Sequence, residues 1–366
     1  MELRRRDLFS MLMGAAGAAQ VSSRAATNKL GIPGLFPGRV ASVRHAGCIV
    51  GRKFQAEPIQ AMMRKGMMEL TGAPDWIAAW KMFFEPGDVV GVKVNPVGQP
   101  EVISSPEVLH EIIAGLQQAG VKAKDIVVYD RYRLQFLSAG FDKWLPQGVR
   151  WSWAAEDYDP IQLGMDGYDE NHYMEMALAQ AGQDGRDPHV RRSHVAKFMT
   201  QQVSKLINLP VLKQHGAGGV TLALKNLSHG LVNNVNRTHS TPTLNACGVF
   251  IPSVVSLPVI RDKVVLNILD GTRGVWANGP GASGGMYVWE HHTIYFATDP
   301  VALDKTGWRA IDAQRAAKGL SPVAHPKPGE GGQRLNPQPE HIEVAGALGL
   351  GVFDDSKIER KQFDLA

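Results

Sequence analysis

Apolar and polar positions along this chain change period in blocks, and the changes mark its elements. After the turn Glu85-Pro86-Gly87-Asp88, Val89 to Val94 is a short apolar run ending in Lys93-Val94-Asn95-Pro96. A run of that length bounded by turn residues predicts a buried strand. Val108, Leu109, Ile112, Ile113 and Leu116 then recur at helical spacing. Ser104 and Glu107 have the spacing of a capping box, Pro106 suits a first turn, and Gly120 suits a helix stop. Ile126 to Tyr129 is apolar again and delivers Asp130 to its end. Strand, helix and strand in this order predict a βαβ unit and a parallel sheet.

The alternation resumes further on. Ser204 to Leu212 reads as a strand, Gly216 to Gly219 as a turn, and Val220 to Leu231 as a helix. Val264 to Leu269 and Ile294 to Thr298 read as strands ending at Asp270 and Asp299. Pro300 opens a helix with Val301, Leu303, Trp308 and Ile311 on its apolar positions. A proline-rich loop over 321–339, a helix over about 339–348 and a strand over about 357–363 complete the series. The fold class predicted is α/β, a mostly parallel sheet with helices on both faces. It occupies one large domain over residues 85–366, with an irregular insertion at about 145–200 rich in Trp, Tyr and Asp. Residues 27–84 read as an N-terminal extension, a glycine- and proline-rich surface segment to about residue 60 and a helix over 60–84.

Residues 1–26 read as an address rather than as structure. Arg4, Arg5 and Arg6 precede a weakly apolar Gly/Ala-rich run, and small residues with A-x-A-like cleavage sites follow. The order resembles a twin-arginine signal and predicts a periplasmic or otherwise exported protein with no permanent membrane span. Such signals resemble those of proteins that fold before export, many of them with a cofactor already loaded; the cofactor itself stays unassigned. With 366 residues, 44% hydrophobic and 20% charged, the chain can bury a core, so gross disorder is excluded. Two cysteines, Cys48 and Cys247, cannot supply an iron–sulfur cluster or a four-cysteine zinc site. They can form one disulfide or remain thiols.

The formal charge of +4 suggests an anionic partner, but residues 1–26 hold four Arg against Glu2 and Asp7 and so supply +2 of it. What remains is uneven. From Pro188 to Arg261 there is no Asp or Glu, while the tract holds eight Lys and Arg and five His. Those charges need counter-charges from elsewhere in the fold or from a ligand. Candidate chemistry gathers at the ends of the predicted strands, where open parallel sheets bind ligands. Lys93, Lys213 and Lys225 would neutralise an anion, and Asn95, Asn226 and Thr221 would orient it. Gly218 and Gly219 would offer backbone N–H groups ahead of a helix. His215 would be the general acid/base, and Asp270 would orient it. Asp130, Asp299 and Asp304, each at or near a strand end, could hold a divalent metal. No Walker A, dinucleotide or G-x-S-x-G spacing is present. The cations lie among buried strands and glycines rather than along an exposed helix, which disfavours nucleic acid.

The motifs resemble the family called domain of unknown function 362. The likeness rests on Val92-Lys93-Val94-Asn95, Ser105-Pro106-Glu107-Val108, the run Ile207 to His215, Thr221 to Leu227, Ile268-Leu269-Asp270-Gly271, Ala297 to Asp304, and Gly349-Leu350-Gly351-Val352. It implies an α/β fold and an enzymatic or redox-associated activity, and brings no substrate. Relatives with ferredoxin-type cysteines look like iron–sulfur proteins; this chain lacks that set. The function expected is an exported enzyme acting on a small anionic substrate, a carboxylate or phosphate. The alternative is a non-catalytic periplasmic protein that binds such an anion or delivers a cofactor.

Overall fold

The computed structural model describes residues 30–366 apart from 240–245, 282, 326, 328 and 331–337. The segment read as an export signal lies outside the described residues. The strands are β1 (Arg39–His45), β2 (Ile49–Val50), β3 (Lys53–Phe54), β4 (Val90–Lys93), β5 (Ile126–Tyr129), β6 (Arg150–Ser152), β7 (Tyr168–Glu175), β8 (Arg192–Ala196), β9 (Lys205–Asn208), β10 (Val211–His215), β11 (Gly219–Val220), β12 (Val264–Val275), β13 (Val288–Ala297) and β14 (Glu359–Leu365). The longer helices are α1 (Ala56–Thr71), α2 (Trp76–Lys81), α3 (Pro106–Gln118), α4 (Arg133–Ala139), α5 (Leu222–Ser228), α6 (Cys247–Val255), α7 (Pro300–Ala317) and α8 (Glu340–Ala347).

A ten-stranded sheet organises the chain in the order β14-β1-β13-β12-β9-β4-β5-β6, with β10 beside β12 and β11 beside β10. Its pairings are mostly parallel; β13 runs antiparallel to both β1 and β12. Alternate strand residues enter opposite layers, as a pleated strand requires. Ile126 and Val128 join a core with α1, α2, α3 and α4, whereas Val127 and Tyr129 join one with α5, α6, α7 and α8. Packing in the first layer is close. A Cβ on Gly115 of α3 would lie 2.1 Å from the Trp80 ring, so glycine lets the helices approach there. No helix among the described residues is long and apolar enough to cross a membrane.

Several sequence expectations change at this level. The segment read as an extension contributes β1, which pairs with β14 on one side and β13 on the other. The helix expected over 60–84 is two helices, and Gly72, with φ of 72°, caps the first. The capping box does not form. Ser105 is the N-cap, while the Ser104 hydroxyl accepts from Asn95 N and donates to Leu209 O, both at 2.8 Å. The strand expected over 204–212 is divided at Leu209-Pro210 into β9 and β10. The expected insertion holds β6, an edge strand of the main sheet, and the β7–β8 hairpin. Cys48 and Cys247 are both buried thiols, not bridged.

Candidate functional site

The parallel register aligns the ends of β4, β5 and β9. Lys93 pairs with Tyr129 on one side and Asn208 on the other, so Asp130, the next residue, meets Lys93. Their side chains form an ion pair at 2.7 Å, and both residues are nearly inaccessible. The Lys93 ammonium also donates to Val94 O at 2.6 Å and Asn226 Oδ1 at 3.4 Å. Asn226 accepts from Asn95 Nδ2 at 3.1 Å and donates to Asn208 Oδ1 at 2.8 Å. This network ties α5 to three strand ends. Gly230 leaves room for it, since a Cβ there would lie 2.3 Å from Lys93 Cε.

Helix α5 is short and is fixed at its start from another element. Asp304 on α7 accepts from Ala223 N at 2.7 Å and Leu224 N at 2.9 Å. Two of the N–H groups left open at a helix start are thereby satisfied. The same clamp holds Leu222 at φ of 46°, a left-handed conformation that costs a leucine roughly 1–2 kcal/mol. The expected glycine turn into a helix is instead a hairpin: β11 returns antiparallel along β10, with Gly219 opposite His215. The helix runs only from Leu222 to Ser228, and its first free N–H groups belong to Asp304.

One face of α5 opens on a cavity of about 340 Å³, lined by Lys93, Asn95, Asp130, Arg131, His215, Thr221, Lys225, Asn226, His229 and His239 among others. Three cations meet one carboxylate there, and Lys93 already pairs that carboxylate. Arg131 donates to Tyr168 Oη at 3.0 Å and His229 O at 3.3 Å. Lys225 is 6% exposed, and its ammonium has no hydrogen bond or ion pair among the described residues. One helical turn earlier, Thr221 Oγ1 is buried and also lacks a partner. Burial, with Arg131 adding to it and Cys247 opposing, pushes the Lys225 ammonium down to about 8.

Histidines line the other wall. His215 and His239 stack with centroids 5.3 Å apart, and His239 and His229 lie 4.9 Å apart. Burial first, and Lys225 next, hold His215 and His229 well below the usual imidazole range and push His239 down to about 3. These rings are therefore neutral at pH 7. The His215 tautomer is fixed by geometry. Its Nδ1 accepts from Ala217 N at 2.9 Å and Gly218 N at 3.2 Å, so the ring proton sits on Nε2. His215 thus presents a donor rather than a base, which revises the acid/base role expected for it. His229 Nε2 lies 3.1 Å from Thr238 Oγ1 and its Nδ1 3.1 Å from Ser228 Oγ. His239 Nε2 is buried without a partner among the described residues.

A family model described as a domain of unknown function (DUF362) matches residues 90–309, from β4 into α7. The chain belongs to this DUF362 family. The matched span contains Lys93, Asp130, His215, Lys225 and Asp304, so the DUF362 region carries the whole of the cavity network just described. Among solved structures, the lactate racemase apoprotein from Thermoanaerobacterium thermosaccharolyticum is 11% identical, with 78% of this chain and 58% of that chain covered and a TM-score of 0.37. A protein from Thermotoga maritima is 11% identical, with 63% and 53% covered and a TM-score of 0.30. The DUF362 chain thus spans little more than half the length of each. A search of curated proteins returned no match.

Of the residues expected in a site, Lys93, Asn95, Asp130, His215, Thr221, Lys225 and Asn226 meet at this cavity. Others do not line it. Lys213 is fully buried behind Asn95; its ammonium donates to Asn95 Oδ1 at 2.9 Å and to Val97 O, and burial pushes it down to about 7. Asp270 accepts from Ser105 N, Thr272 N and Thr272 Oγ1, and so braces a turn rather than His215. Asp299 caps α7 through Val301 N and Ala302 N and also accepts from Gly38 N and Val352 N. With Asp130 paired to Lys93 and Asp304 clamping α5, the three acids expected around a metal are engaged separately. Arg131, His229, His239 and Cys247 were not singled out as site residues from the sequence. The acid-free tract holds three of them, and that was the available signal. A second cavity of about 400 Å³ adjoins the first through Arg131, Tyr132 and Gln162. It is lined by the exposed acids Glu156, Asp157, Asp159 and Asp166, which suit an anion poorly.

Proposed function

We propose that this protein is an enzyme acting on a small organic anion, a carboxylate or phosphate, held in the cavity over α5. The observation that carries the reading is the Lys225 ammonium, buried in the cavity wall without a counter-charge or acceptor among the described residues. A buried cation left unpaired is costly, and a bound anion removes that cost. Thr221 Oγ1 and the His215 Nε2–H are further donors on the same cavity. A lysine titrating near 8 also sits where a proton carrier works best, so Lys225 is the candidate general acid/base of the reaction.

Isothermal titration of the purified protein with acetate, succinate, pyruvate and inorganic phosphate tests this. At least one anion is expected to bind, and Lys225→Met to weaken it about 10- to 100-fold, the worth of one charge-assisted hydrogen bond. Because the ammonium is the binding form, affinity should fall as pH rises through about 8, approaching tenfold per pH unit above it. If no anion binds, or if Lys225→Met binds as the parent does at every pH, the reading fails. Binding without turnover of any tested anion would favour a binding or delivery protein.

The export reading is carried by residues 1–26 alone. Replacing Arg5 and Arg6 together by Lys should leave the uncleaved precursor in the cytoplasm, seen by cell fractionation and intact mass. Normal arrival in the periplasm would exclude twin-arginine export.

A further inference from the structure

Cys247 is the first residue of α6. One ligand atom from each of His229, His239 and Cys247 lies within 4.8 Å of the others. Two imidazoles and a thiol are donors for a borderline-soft divalent ion, not for calcium or magnesium. In a tetrahedral site with bonds of about 2.0–2.3 Å, ligand atoms lie roughly 3.3–3.8 Å apart. Closing the set therefore needs the ligand atoms to approach by about 1 Å.

A second observation points the same way. His239 Nε2 is buried with no hydrogen-bond partner among the described residues, an arrangement that is costly for a polar atom unless something else occupies its lone pair. His229 is braced from behind as metal-bound histidines are. Its Nδ1 lies 3.1 Å from Ser228 Oγ, and that hydroxyl lies 3.2 Å from Lys225 O. The Thr238 hydroxyl donates to Val235 O at 2.7 Å, so without an ion the His229 ring proton sits on Nε2 and faces Thr238 Oγ1. Ser228 Oγ, which donates to Lys225 O, can accept from Nδ1–H in the other tautomer, and that shift frees the Nε2 lone pair for an ion. Thr238 Oγ1 sits 3.1 Å from that nitrogen and 3.7 Å from Cys247 Sγ, so both atoms face the same hydroxyl, and an ion between them would take over its place as their shared partner.

We infer that His229, His239 and Cys247 form a binding site for a divalent ion of the zinc class, with the fourth coordination position open toward the cavity. Binding exchanges the thiol proton for the metal: the S–H bond breaks, the sulfur–metal bond forms, and one proton is released to solvent. Three protein ligands and an open fourth position are the pattern of catalytic rather than structural zinc sites. The inference stands on the geometry of the three ligands and does not require the anion reading.

Metal-free protein titrated with Zn²⁺ alone should take up one ion per chain and release one proton, read from the buffer dependence of the heat. With Co²⁺ alone it should develop the ultraviolet charge-transfer band of a cobalt–thiolate bond. Cys247→Ser should abolish that band and weaken Zn²⁺ at least 100-fold, and His239→Gln should weaken Zn²⁺ at least 10-fold with the band retained. Cys48→Ser should change neither. Far-ultraviolet circular dichroism and thermal melting identify variants that have not folded, and His229→Gln replaces either that fails. Absence of stoichiometric Zn²⁺ uptake overturns the site, as does a cobalt–thiolate band that survives Cys247→Ser.

Discussion

Asp130→Ala should cost the fold about 3–5 kcal/mol, the loss expected when one partner of a buried ion pair is removed. Asp130 and Lys93 are 4% and 2% exposed and 2.7 Å apart. Without the carboxylate, the ammonium keeps Val94 O and a long contact to Asn226 Oδ1. Neither carries a charge, so the cation must stay buried uncompensated, lose its proton or draw in water. Lys93→Met should be similarly costly, because among the described residues it leaves the carboxylate only the Tyr132 N–H at 3.3 Å. The double variant Lys93→Met/Asp130→Ala removes both charges and should be more stable than Asp130→Ala alone. Urea unfolding of all three, with unchanged m-values, measures the coupling. Single-variant costs below about 1 kcal/mol, or a double-variant cost equal to their sum, would show that the pair is not coupled as its geometry requires. Because Asp130 lines the cavity and also accepts from the backbone of Tyr132, another lining residue, anion affinity should fall with stability.

The elements that carried a strong period were legible. The βαβ unit from β4 through α3 to β5 appears where its apolar runs and glycine stop placed it, since both strands are buried on two faces and read as unbroken runs. β1 was hidden because Arg39, Ser42 and Arg44 interrupt its apolar residues and it lies in a glycine-rich stretch. The hairpin of β10 and β11 was hidden because glycine at a turn suits a hairpin and a helix approach equally well. Pairing across β12 decides between them.

Part of the cavity was legible for a related reason. In a parallel sheet, strand ends are brought together by topology, so Lys93, Asp130 and the α5 residues could be placed by order alone. Which acids face the cavity could not, because a carboxylate at a strand end serves equally as a cap. Asp299 and Asp304 took the backbone N–H groups within reach. The meeting of His229, His239 and Cys247 is a contact between residues 8 to 18 apart in sequence, outside any helical or strand period, so no periodicity encodes it.

His341 should give this protein a distinct sensitivity to acid. The residue sits in the first turn of α8, fully buried, with neither ring nitrogen hydrogen-bonded among the described residues. Burial, with Lys225 as the charged neighbour adding to it, pushes its imidazole down to about 3. An unfolded histidine titrates near 6.5. Between those values the unfolded chain binds a proton that the folded chain refuses, so stability falls as pH falls, by about 1.4 kcal/mol per unit. Above 6.5 both states are neutral at this position and the contribution is constant. His341→Leu fills similar space with no group to protonate. It should be close to the parent in stability at pH 7.5 and gain on it steadily below 6.5, reaching an advantage of about 2.7 kcal/mol at pH 4.5. Taking the difference between the two proteins cancels the contributions of His215, His229 and His239, which both contain. Urea unfolding at pH 7.5, 6.5, 5.5 and 4.5 measures it. Parallel stability curves down to pH 4.5 would mean that the folded protein accommodates a charged His341, and that the cavity wall behind Lys225 is wetter than its packing indicates.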